Sequence, residues 1–406
     1  MKRLIRKLIP QKTVNIFRHL PTAVLANLIY GFPSRKMTVI GVTGTDGKTT
    51  TVNMIYQILK AAGKKVSMVS TINAEIAGKS YDTGFHVTNP DPMMLQKFIK
   101  MAIEAGEEML VLEVTSHGLD QYRAWGVRFD VGVITNITHE HLDYHKTWEN
   151  YFQAKAKLIK LVKVAVLNRA EDHFNRLGKL TTGKVVSFGL TKQADFNPLK
   201  FPFKLNIPGQ YNVLNALAAS AVAVHYGVDT KVIKHTLEHF SSLEGRMNEV
   251  KNDRGIKIIV DFAHTPNALK EALQALKKTT SGRLIAVFGS AGARDIEKRG
   301  LMGEISAKYA DITVITAEDP RGELEKINAQ ILAGTQKSSG ILGKNVFIEG
   351  DRQKAITLAI NKLAAKGDTV GIFGKGHEKS MNYNGQVEEP WSDHTAVQKA
   401  LKANKA

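Results

Sequence analysis

The sequence predicts an α/β protein with two doubly wound domains, and two patterns support this. In each half of the 406-residue chain, short apolar runs that suit buried strands alternate with longer stretches of helical periodicity. Such alternation is typical of parallel sheets covered by helices on both faces. A turn-like Ser-Ser-Leu-Glu-Gly segment at 241–245 separates the two series. We therefore expect an N-terminal segment at 1–36, a central domain at 37–242 and a C-terminal domain at 243–406.

The predicted strands are short and regularly separated. In the central domain they lie at 37–42, 65–71, 109–114 and 131–135, with helices expected at 49–62 and 91–105. In the C-terminal domain they lie at 257–261, 284–288, 312–316, 346–349 and 369–373. Helix-length segments separate the strands of this second series, as the crossovers between parallel strands require.

The N-terminal segment is basic and partly apolar. It contains no acid and eight basic residues: Lys2, Arg3, Arg6, Lys7, Lys12, Arg18, Arg35 and Lys36. Such a segment can associate weakly with an anionic membrane surface, or it can be an arm or helix packed on the first domain. The chain has no run of about 18 apolar residues, so we expect no spanning helix.

The composition restricts the classes of function. The chain has no cysteine, which excludes disulfides and thiolate metal sites and suits a reducing compartment. The formal net charge is +18, but no recognisable nucleic-acid-binding module accompanies it. We therefore expect a cytoplasmic protein, with a position at the inner membrane face as an alternative. On charge alone nucleic acid is possible as a partner, but without a binding module we expect none.

A glycine-rich loop follows the first predicted strand and precedes a predicted helix. Residues 43–51 read Thr-Gly-Thr-Asp-Gly-Lys-Thr-Thr-Thr. Glycines let backbone N–H groups approach phosphate oxygens, and the helix N-terminus adds positive potential. Lys48 is expected on the terminal phosphates, and Thr49 is expected to offer its hydroxyl to Mg²⁺. Val42 replaces the first glycine of a Walker A loop, so this loop is a shorter form.

A carboxylate and several histidines follow the next two strands. Glu113 lies near the end of its strand, where α/β sheets place their ligands. Mg²⁺ prefers oxygen ligands and tolerates imidazole, so Glu113 and His141 are candidate ligands. Four histidines occur together, which makes zinc an alternative: His117, His139, His141 and His145. No regular metal-helix spacing supports zinc.

These segments resemble the Mur ligases, and in particular the MurE type of UDP-N-acetylmuramoyl-tripeptide synthetase. The resemblance rests on the glycine-rich loop, on Thr-Ser-His-Gly-Leu at 115–119, on Glu-His-Leu-Asp-Tyr-His at 140–145 and on Gly-Lys-Gly-His-Glu at 374–378. It implies a P-loop-type doubly wound ATPase domain followed by a Rossmann-like α/β domain. It also implies a monomeric, ATP- and Mg²⁺-dependent ligase that joins an amino acid to a UDP-muramoyl-peptide through an acyl phosphate.

The resemblance also implies residue roles. The residues expected at ATP are Gly44, Thr45, Asp46, Gly47, Lys48, Thr49, Thr50, Arg246, His264 and Asp351. Those expected at Mg²⁺ are Thr49, Glu113, His141 and Lys155, with Lys155 carbamoylated by CO₂ into a carboxylate-like ligand. Those expected at the muramoyl-peptide are Thr88, Thr115, Gln121 and Arg123. Considered without the resemblance, Lys155, Lys157 and Lys160 indicate a solvated helix face.

The incoming amino acid is expected at a separate group of residues, namely Arg294, Asp319, Arg321, Gly374 and Glu378. Arg321 favours meso-diaminopimelate, whose second carboxylate needs a cation, whereas lysine-using relatives usually lack this arginine. Asp319 stands where the family usually has Asn, and an acid there is expected to repel a carboxylate and to suit an amine. L-Lysine therefore remains an alternative substrate.

A further departure, at the N-terminus, widens the range of functions to consider. MurE proteins normally begin with a separate domain that holds the UDP group, whereas 36 residues precede the first predicted strand here. A lipid-linked carrier is therefore an alternative to the UDP form. A folylpolyglutamate synthase-like ligase, a MurT-like amidating enzyme and a non-catalytic nucleotide-binding scaffold also stay open. MurT-like enzymes typically carry a four-cysteine zinc insert, which a chain without cysteine lacks.

Overall fold

The computed structural model describes residues 10–83, 89–138 and 140–403. Within them the chain forms two compact units. The first unit comprises the chain up to residue 138, His145–Asn206 and Asn212–Phe240, and the second comprises Glu140–Tyr144, Ile207–Tyr211 and residues 241–403. The predicted boundary at residue 243 lies close to Ser241, where the long segment of the second unit begins. The division into a 1–36 segment and two domains stays a prediction.

The N-terminal segment contains one continuous helix, α1, followed by a 3₁₀ turn at Pro33–Lys36. Helix α1 consists of Gln11–Val14, a wider π-helical turn at Asn15–His19, and Leu20–Tyr30. Pro21 supplies a reason for the wide turn, because proline lacks the N–H that an α-helical turn requires. Ala23 and Ala26 are buried, so the helix packs on the first unit.

The first unit is built on a sheet of eight strands. They are β1 (Thr38–Thr43), β2 (Val66–Val69), β3 (Ala74–Ile76), β4 (Lys79–Tyr81), β5 (Met109–Glu113), β6 (Val131–Ile134), β7 (Val164–Asn168) and β8 (Lys184–Phe188). Their order in the sheet is β4-β3-β2-β5-β1-β6-β7-β8. In the part of this order that runs β2-β5-β1-β6-β7-β8, every neighbouring pair is parallel. Strand β3 pairs antiparallel with both β2 and β4. The sequence did not predict β3, β4, β7 or β8.

The second unit is built on a sheet of six strands and a small hairpin. The strands are β9 (Asn248–Glu249), β10 (Lys257–Asp261), β11 (Leu284–Phe288), β12 (Ile312–Ile315), β13 (Val346–Ile348), β14 (Thr369–Phe373), β15 (Ser380–Met381) and β16 (Glu389–Pro390). The sheet order is β13-β12-β11-β14-β10-β9, with only β9 antiparallel, and β15 pairs with β16. The α/β class predicted from the sequence is thus confirmed.

Helices lie between the strands along the chain. After α1 they are α2 (Lys48–Ala61), α3 (Pro92–Glu104), α4 (Ser116–Asp120), α5 (Leu142–His145), α6 (Trp148–Ala156), α7 (Phe174–Leu180), α8 (Gln210–His225), α9 (Thr230–Glu238), α10 (Pro266–Lys277), α11 (Glu297–Tyr309), α12 (Leu324–Gln336), α13 (Arg352–Leu358) and α14 (Asp393–Lys402). Apolar clusters lie on both faces of the second sheet, with Phe288 and Phe373 in one and Val287 and Ile372 in the other. Alternate residues of one strand therefore face opposite cores, as in a doubly wound sheet.

Candidate functional site

The glycine-rich loop connects β1 to α2, and its glycines are required by close contacts. Gly44 has φ +157° and Gly47, the residue before α2, has φ +80°. A Cβ atom on Gly44 would lie 1.8 Å from Thr135 Oγ1, and one on Gly47 would lie 2.3 Å from Asn215 Oδ1. Backbone conformation and space both exclude a larger residue. The loop leads into the N-terminus of α2, a location that favours anions.

Residues that follow β6 fix the loop in place. Asn136 Oδ1 accepts hydrogen bonds from the backbone N–H groups of Thr45 (3.0 Å) and Asp46 (2.9 Å). Thr135 Oγ1 donates to the Asp46 carbonyl at 2.6 Å. Sequence reasoning missed Thr135 and Asn136, although polar residues at the end of a strand beside β1 were an available signal. Contact of Thr45 and Asp46 with ATP stays a prediction.

Lys48 and two threonines begin helix α2. Lys48 Nζ donates to the Thr45 carbonyl at 2.8 Å, so the ammonium group lies against the loop. Thr49 and Thr50 are buried in the first turn. A cation and a helix N-terminus therefore occur at the same loop, which is the combination that binds the terminal phosphates of a nucleotide.

Glu113 ends β5 beside this loop and forms a cluster of oxygen atoms with two threonines. Its buried carboxylate accepts hydrogen bonds from Thr49 Oγ1 at 2.9 and 3.1 Å. It also accepts from Thr71 Oγ1 at 2.8 Å and from the Thr71 N–H at 3.0 Å. Carboxylate and hydroxyl oxygens are the ligands that Mg²⁺ prefers, so Thr49 and Glu113 fit the predicted metal site. Sequence reasoning missed Thr71.

His141 is the histidine among the predicted Mg²⁺ ligands, and it belongs to the second unit. It has a left-handed backbone with φ +60°. Across residues 10–83, 89–138 and 140–403, no three His, Asp or Glu side chains group into a metal site. This finding gives no support to the zinc alternative within those residues, and His139 lies outside them. Ligation of Mg²⁺ by His141 stays a prediction.

Lys155 of helix α6 lies against the glycine-rich loop. Its side chain is 1% exposed, and Nζ lies 2.5 Å from the Gly44 carbonyl and 4.6 Å from the centre of the Tyr151 ring. Lys157 and Lys160 on the same segment are exposed. The expectation of a solvated lysine face is therefore wrong for Lys155 and holds for the other two. Its placement beside the loop was available from the resemblance alone, because periodicity does not distinguish it from its neighbours.

A second network joins Glu113 to the predicted peptide-binding residues. Asn89 Nδ2 donates to the Glu113 carbonyl at 2.6 Å, and its Oδ1 accepts from the N–H and hydroxyl of Thr115, both at 2.7 Å. Arg123 donates to the Asn89 carbonyl at 2.7 Å and to Gln121 Oε1 at 2.9 and 3.1 Å. The structure thus brings Thr115, Gln121 and Arg123 together through Asn89, which sequence reasoning did not assign to the site.

Thr88 lies outside the described residues, so its predicted contact with the peptide stays a prediction.

Three predicted nucleotide contacts lie in the second unit. Arg246 stacks over the Phe262 ring at 4.5 Å, and the His264 ring lies 4.4 Å from that ring. Burial, with the nearby Lys298 cation, lowers the pKa of His264 to about 3, which keeps the imidazole neutral near pH 7. Asp351 caps helix α13 by accepting from the Lys354 N–H at 3.1 Å, and its contact with a ribose stays a prediction.

Asp319, Arg321 and Glu378 form one charged network with Lys375. Asp319 Oδ1 accepts from Lys375 Nζ at 2.9 Å and from the Asn382 N–H at 3.0 Å, and Arg321 lies 3.3 Å from Oδ2. Lys375 is buried and also contacts Glu378 at 2.5 Å. Burial by itself would lower the pKa of Lys375, but Glu378 and Asp319 outweigh burial and raise it. Asp319 therefore has internal counter-charges, which removes the reason for expecting it to repel a substrate carboxylate.

Two more of the predicted contacts with the amino acid differ in their surroundings. A Cβ atom on Gly374, which has φ +109°, would lie 2.9 Å from Glu318 Oε2, so this position needs glycine. Burial raises the pKa of Glu318 to about 7 despite the cations of Lys298, Lys375 and Arg352. Arg294 is exposed on the loop after β11, and the network of Asp319 does not include it.

A fully buried ion pair supports this part of the second unit. Arg352 donates to both carboxylate oxygens of Asp393 at 2.8 Å, and both side chains are fully buried. The same guanidinium donates to the carbonyls of Ala317 and Phe373 at 3.1 and 2.9 Å. It therefore ties the end of β14 to the segment that leads to Asp319. Sequence reasoning missed this pair.

Comparison with known proteins gives a consistent result along most of the chain. A family model described as the Mur ligase middle domain matches residues 42–223, and one described as the Mur ligase glutamate ligase domain matches residues 245–376. The UDP-N-acetylmuramoyl-L-alanyl-D-glutamate–2,6-diaminopimelate ligase of Aquifex aeolicus is 38% identical over 397 residues, covering 93% of this chain and 80% of that protein. The Geobacillus kaustophilus protein of the same name is 35% identical, covering 94% and 82%.

Solved structures agree with these matches. A UDP-N-acetylmuramoyl-L-alanyl-D-glutamate–2,6-diaminopimelate ligase is similar with a TM-score of 0.60 at 30% identity, covering 91% of this chain and 79% of that one. A folylpolyglutamate synthase of Mycobacterium tuberculosis, complexed with ADP and AMPPCP, has a TM-score of 0.67 at 18% identity, covering 87% and 92%. At this lower identity the likeness shows the fold alone.

Proposed function

Because this chain belongs to the Mur ligase family, we propose that it adds meso-diaminopimelate to UDP-N-acetylmuramoyl-L-alanyl-D-glutamate, with conversion of ATP to ADP and phosphate. The observation that carries the proposal is the arrangement of Lys48, Thr49 and Glu113 at the glycine-rich loop. The proposed role is in peptidoglycan precursor synthesis. We place the reaction in the cytoplasm and assign it to a monomer.

The proposed reaction solves a specific chemical problem, since a carboxylate is a poor electrophile. An oxygen of the substrate carboxylate attacks the γ-phosphorus of ATP, which forms an acyl phosphate and releases ADP. The amine then attacks the acyl carbon, and the tetrahedral intermediate collapses to the amide with loss of inorganic phosphate and a proton. Lys48 and the first turn of α2 stabilise the charge on the transferring phosphoryl group, and such fixed electrostatics are usually the largest catalytic contribution.

Thr49 and Glu113 would hold Mg²⁺, which when bound neutralises negative charge on the phosphates. We further propose that Lys155 is carbamoylated, so that its amine nitrogen bonds to the carbon of CO₂ and loses a proton. The burial of Lys155 against the Gly44 carbonyl supports this, because a carbamate there lies beside the phosphate loop. Labelling with ¹³CO₂ and observing a carbamate carbon by NMR tests the modification, and a Lys155→Arg variant should lack that signal.

The substrates occupy separate groups of residues in this proposal. Arg123, already oriented by Gln121 and the Asn89 carbonyl, grips a carboxylate of the muramoyl-peptide. Arg321 grips the second carboxylate of meso-diaminopimelate, and Glu378 receives an ammonium group. The counter-charges around Asp319 support diaminopimelate over lysine, because Asp319 is already paired with Lys375.

A phosphate-release screen tests the proposal. It crosses UDP-linked and lipid-linked muramoyl-dipeptide with meso-diaminopimelate, lysine, ornithine and glutamate, each with ATP and Mg²⁺. We expect release only with the UDP-linked carrier and meso-diaminopimelate together, and omission of either should abolish it. Release with lysine and not with meso-diaminopimelate would overturn the proposed amino acid. Release with the lipid-linked carrier and not with the UDP-linked one would overturn the proposed carrier. Release with a folate and glutamate would favour a folylpolyglutamate synthase-like activity, and silence in every combination would favour a scaffold.

A further inference from the structure

Helix α1 directs several of its large apolar side chains to solvent. Four large apolar residues are exposed by more than half: Phe17 78%, Leu25 55%, Leu28 63% and Ile29 55%. The spacing from 17 to 25 to 28 follows the helical repeat, so they share one face. A surface helix of a soluble domain normally presents polar residues there, and α1 does the opposite.

The contacts on the opposite side of α1 show that this orientation is fixed. Asn15 Nδ2 donates to Asp120 at 2.7 Å, and Asn27 Nδ2 donates to the Trp125 carbonyl at 2.8 Å. Ala23 and Ala26 are buried between these two asparagines. Rotation of the helix to bury Phe17 and Leu28 would break both hydrogen bonds. The exposed apolar face is therefore a property of the folded first unit.

The charge of the segment indicates what covers this face. Residues 1–36 contain eight Lys or Arg and no acid. Within the described part, Lys12, Arg18, Arg35 and Lys36 are all exposed. Two copies of this surface would bring like charges together, whereas an anionic lipid surface attracts them. The apolar side chains suit the boundary between headgroups and acyl chains.

We propose that helix α1 lies in the plane of an anionic lipid bilayer, with Phe17, Leu25, Leu28 and Ile29 inserted and the basic residues among the headgroups. Within residues 10–83, 89–138 and 140–403 no helix is long and apolar enough to cross a membrane. This binding is additional to the proposed ligase reaction. Loss of membrane binding and loss of ligase activity are therefore separable results.

Vesicle flotation of the full chain tests the proposal. Wild type is mixed with vesicles of phosphatidylglycerol and phosphatidylcholine, or of phosphatidylcholine alone. We expect flotation with the anionic vesicles, at least about tenfold weaker binding to the neutral ones, and a decrease as salt rises. Absence of flotation with anionic vesicles at low salt overturns the proposal.

Two pairs of substitutions separate the apolar and basic contributions. Phe17→Ser with Leu28→Ser should weaken binding to anionic vesicles by at least about tenfold. Lys12→Gln with Arg18→Gln should weaken it by about tenfold. The matched control is Leu199→Ser with Leu342→Ser, which removes side chains that are 78% and 53% exposed elsewhere, and it should bind as wild type does.

Two further measurements distinguish membrane binding from a folding defect and from self-association. Circular dichroism and ligase activity without vesicles should be the same in all these variants, because no substituted residue belongs to the proposed site. Sedimentation of wild type should show a monomer. A dimer that Phe17→Ser with Leu28→Ser dissociates would show that a second copy covers the face, and equal vesicle binding by that variant and the control would also overturn the proposal.

Discussion

Different interactions stabilise the candidate sites of the two units. Around the glycine-rich loop of the first unit, Asn136, Thr135 and Thr71 supply mainly neutral hydrogen bonds. In the second unit, buried charges hold one another, as in Asp319 with Lys375 and in the pair that Arg352 forms with Asp393. The first site therefore depends on shape and on few charges, whereas the second depends on charge balance. Removing one charge should impair catalysis in the first and folding in the second.

The largest expected effect is on catalysis in the first unit. Lys48→Ala removes a cation that donates a hydrogen bond to the Thr45 carbonyl of the glycine-rich loop. We expect kcat to fall by about 10³-fold or more, because the phosphoryl group loses a preorganised charge. The thermal unfolding temperature should change little. Phosphate release and calorimetry measure the two quantities.

A matched control for this substitution is Lys65→Ala. Lys65 is another lysine of the first unit, and its exposed ion pair with Glu108 spans 3.4 Å. Its kcat should stay within about twofold of wild type, since exposed ion pairs contribute little. If Lys48→Ala retained near wild-type kcat, the assignment of the phosphate site would be rejected.

Some of these interactions could be predicted from the sequence and others could not. The glycine-rich loop was predictable because its glycines, lysine and threonines are contiguous and its chemistry is local. Asn136, Thr71 and Asn89 were not predicted, because each acts through a hydrogen bond to a residue distant in sequence. Arg352 and Asp393 are 41 positions apart, and no local pattern couples them. Burial of Lys155 likewise depends on where helix α6 packs, which its periodicity does not specify.

The next largest effect is on stability in the second unit. Arg352→Met takes the guanidinium away from the buried Asp393 carboxylate, which keeps a hydrogen bond from Trp391 Nε1 at 2.9 Å. Breaking a buried pair in this way costs about 3–5 kcal/mol. Hydrogen exchange measured by mass spectrometry should show faster exchange in β10 and β14 and little change in β1 and β5.

A double substitution distinguishes the lost pair from a general packing defect. Arg352→Met with Asp393→Leu removes both charges and should recover part of the stability, since apolar replacements of buried pairs are often tolerated. Lys65→Met, at the exposed pair, should cost less than about 1 kcal/mol. Equal destabilisation by the single and the double variant would contradict the charge-balance account of the second unit.

A smaller effect concerns substrate choice. Arg321→Met should raise the KM for meso-diaminopimelate by about 30- to 100-fold, because one charge-assisted contact with the second carboxylate is lost. The KM for lysine, which has no second carboxylate, should change by less than about threefold. Steady-state kinetics with both amino acids measure this ratio. Equal increases for both would show that Arg321 supports the fold of the site and does not select the substrate.

The smallest expected effect is the pH dependence that Glu318 gives to the stability of the second unit. Burial raises the pKa of Glu318 from its usual 4.5 to about 7, so the folded state holds this proton more tightly than the unfolded state does. The resulting stabilisation is complete below pH 4.5 and is lost as pH rises through 7. Glu318→Gln has no such proton, so its stability relative to wild type should increase by about 1–2 kcal/mol between about pH 5.5 and about pH 7.5. Urea denaturation across this range measures the difference. A constant difference would mean that Glu318 stays charged in the folded protein. In that case the cations Lys298, Lys375 and Arg352 would lower the pKa of Glu318 by at least as much as burial raises it.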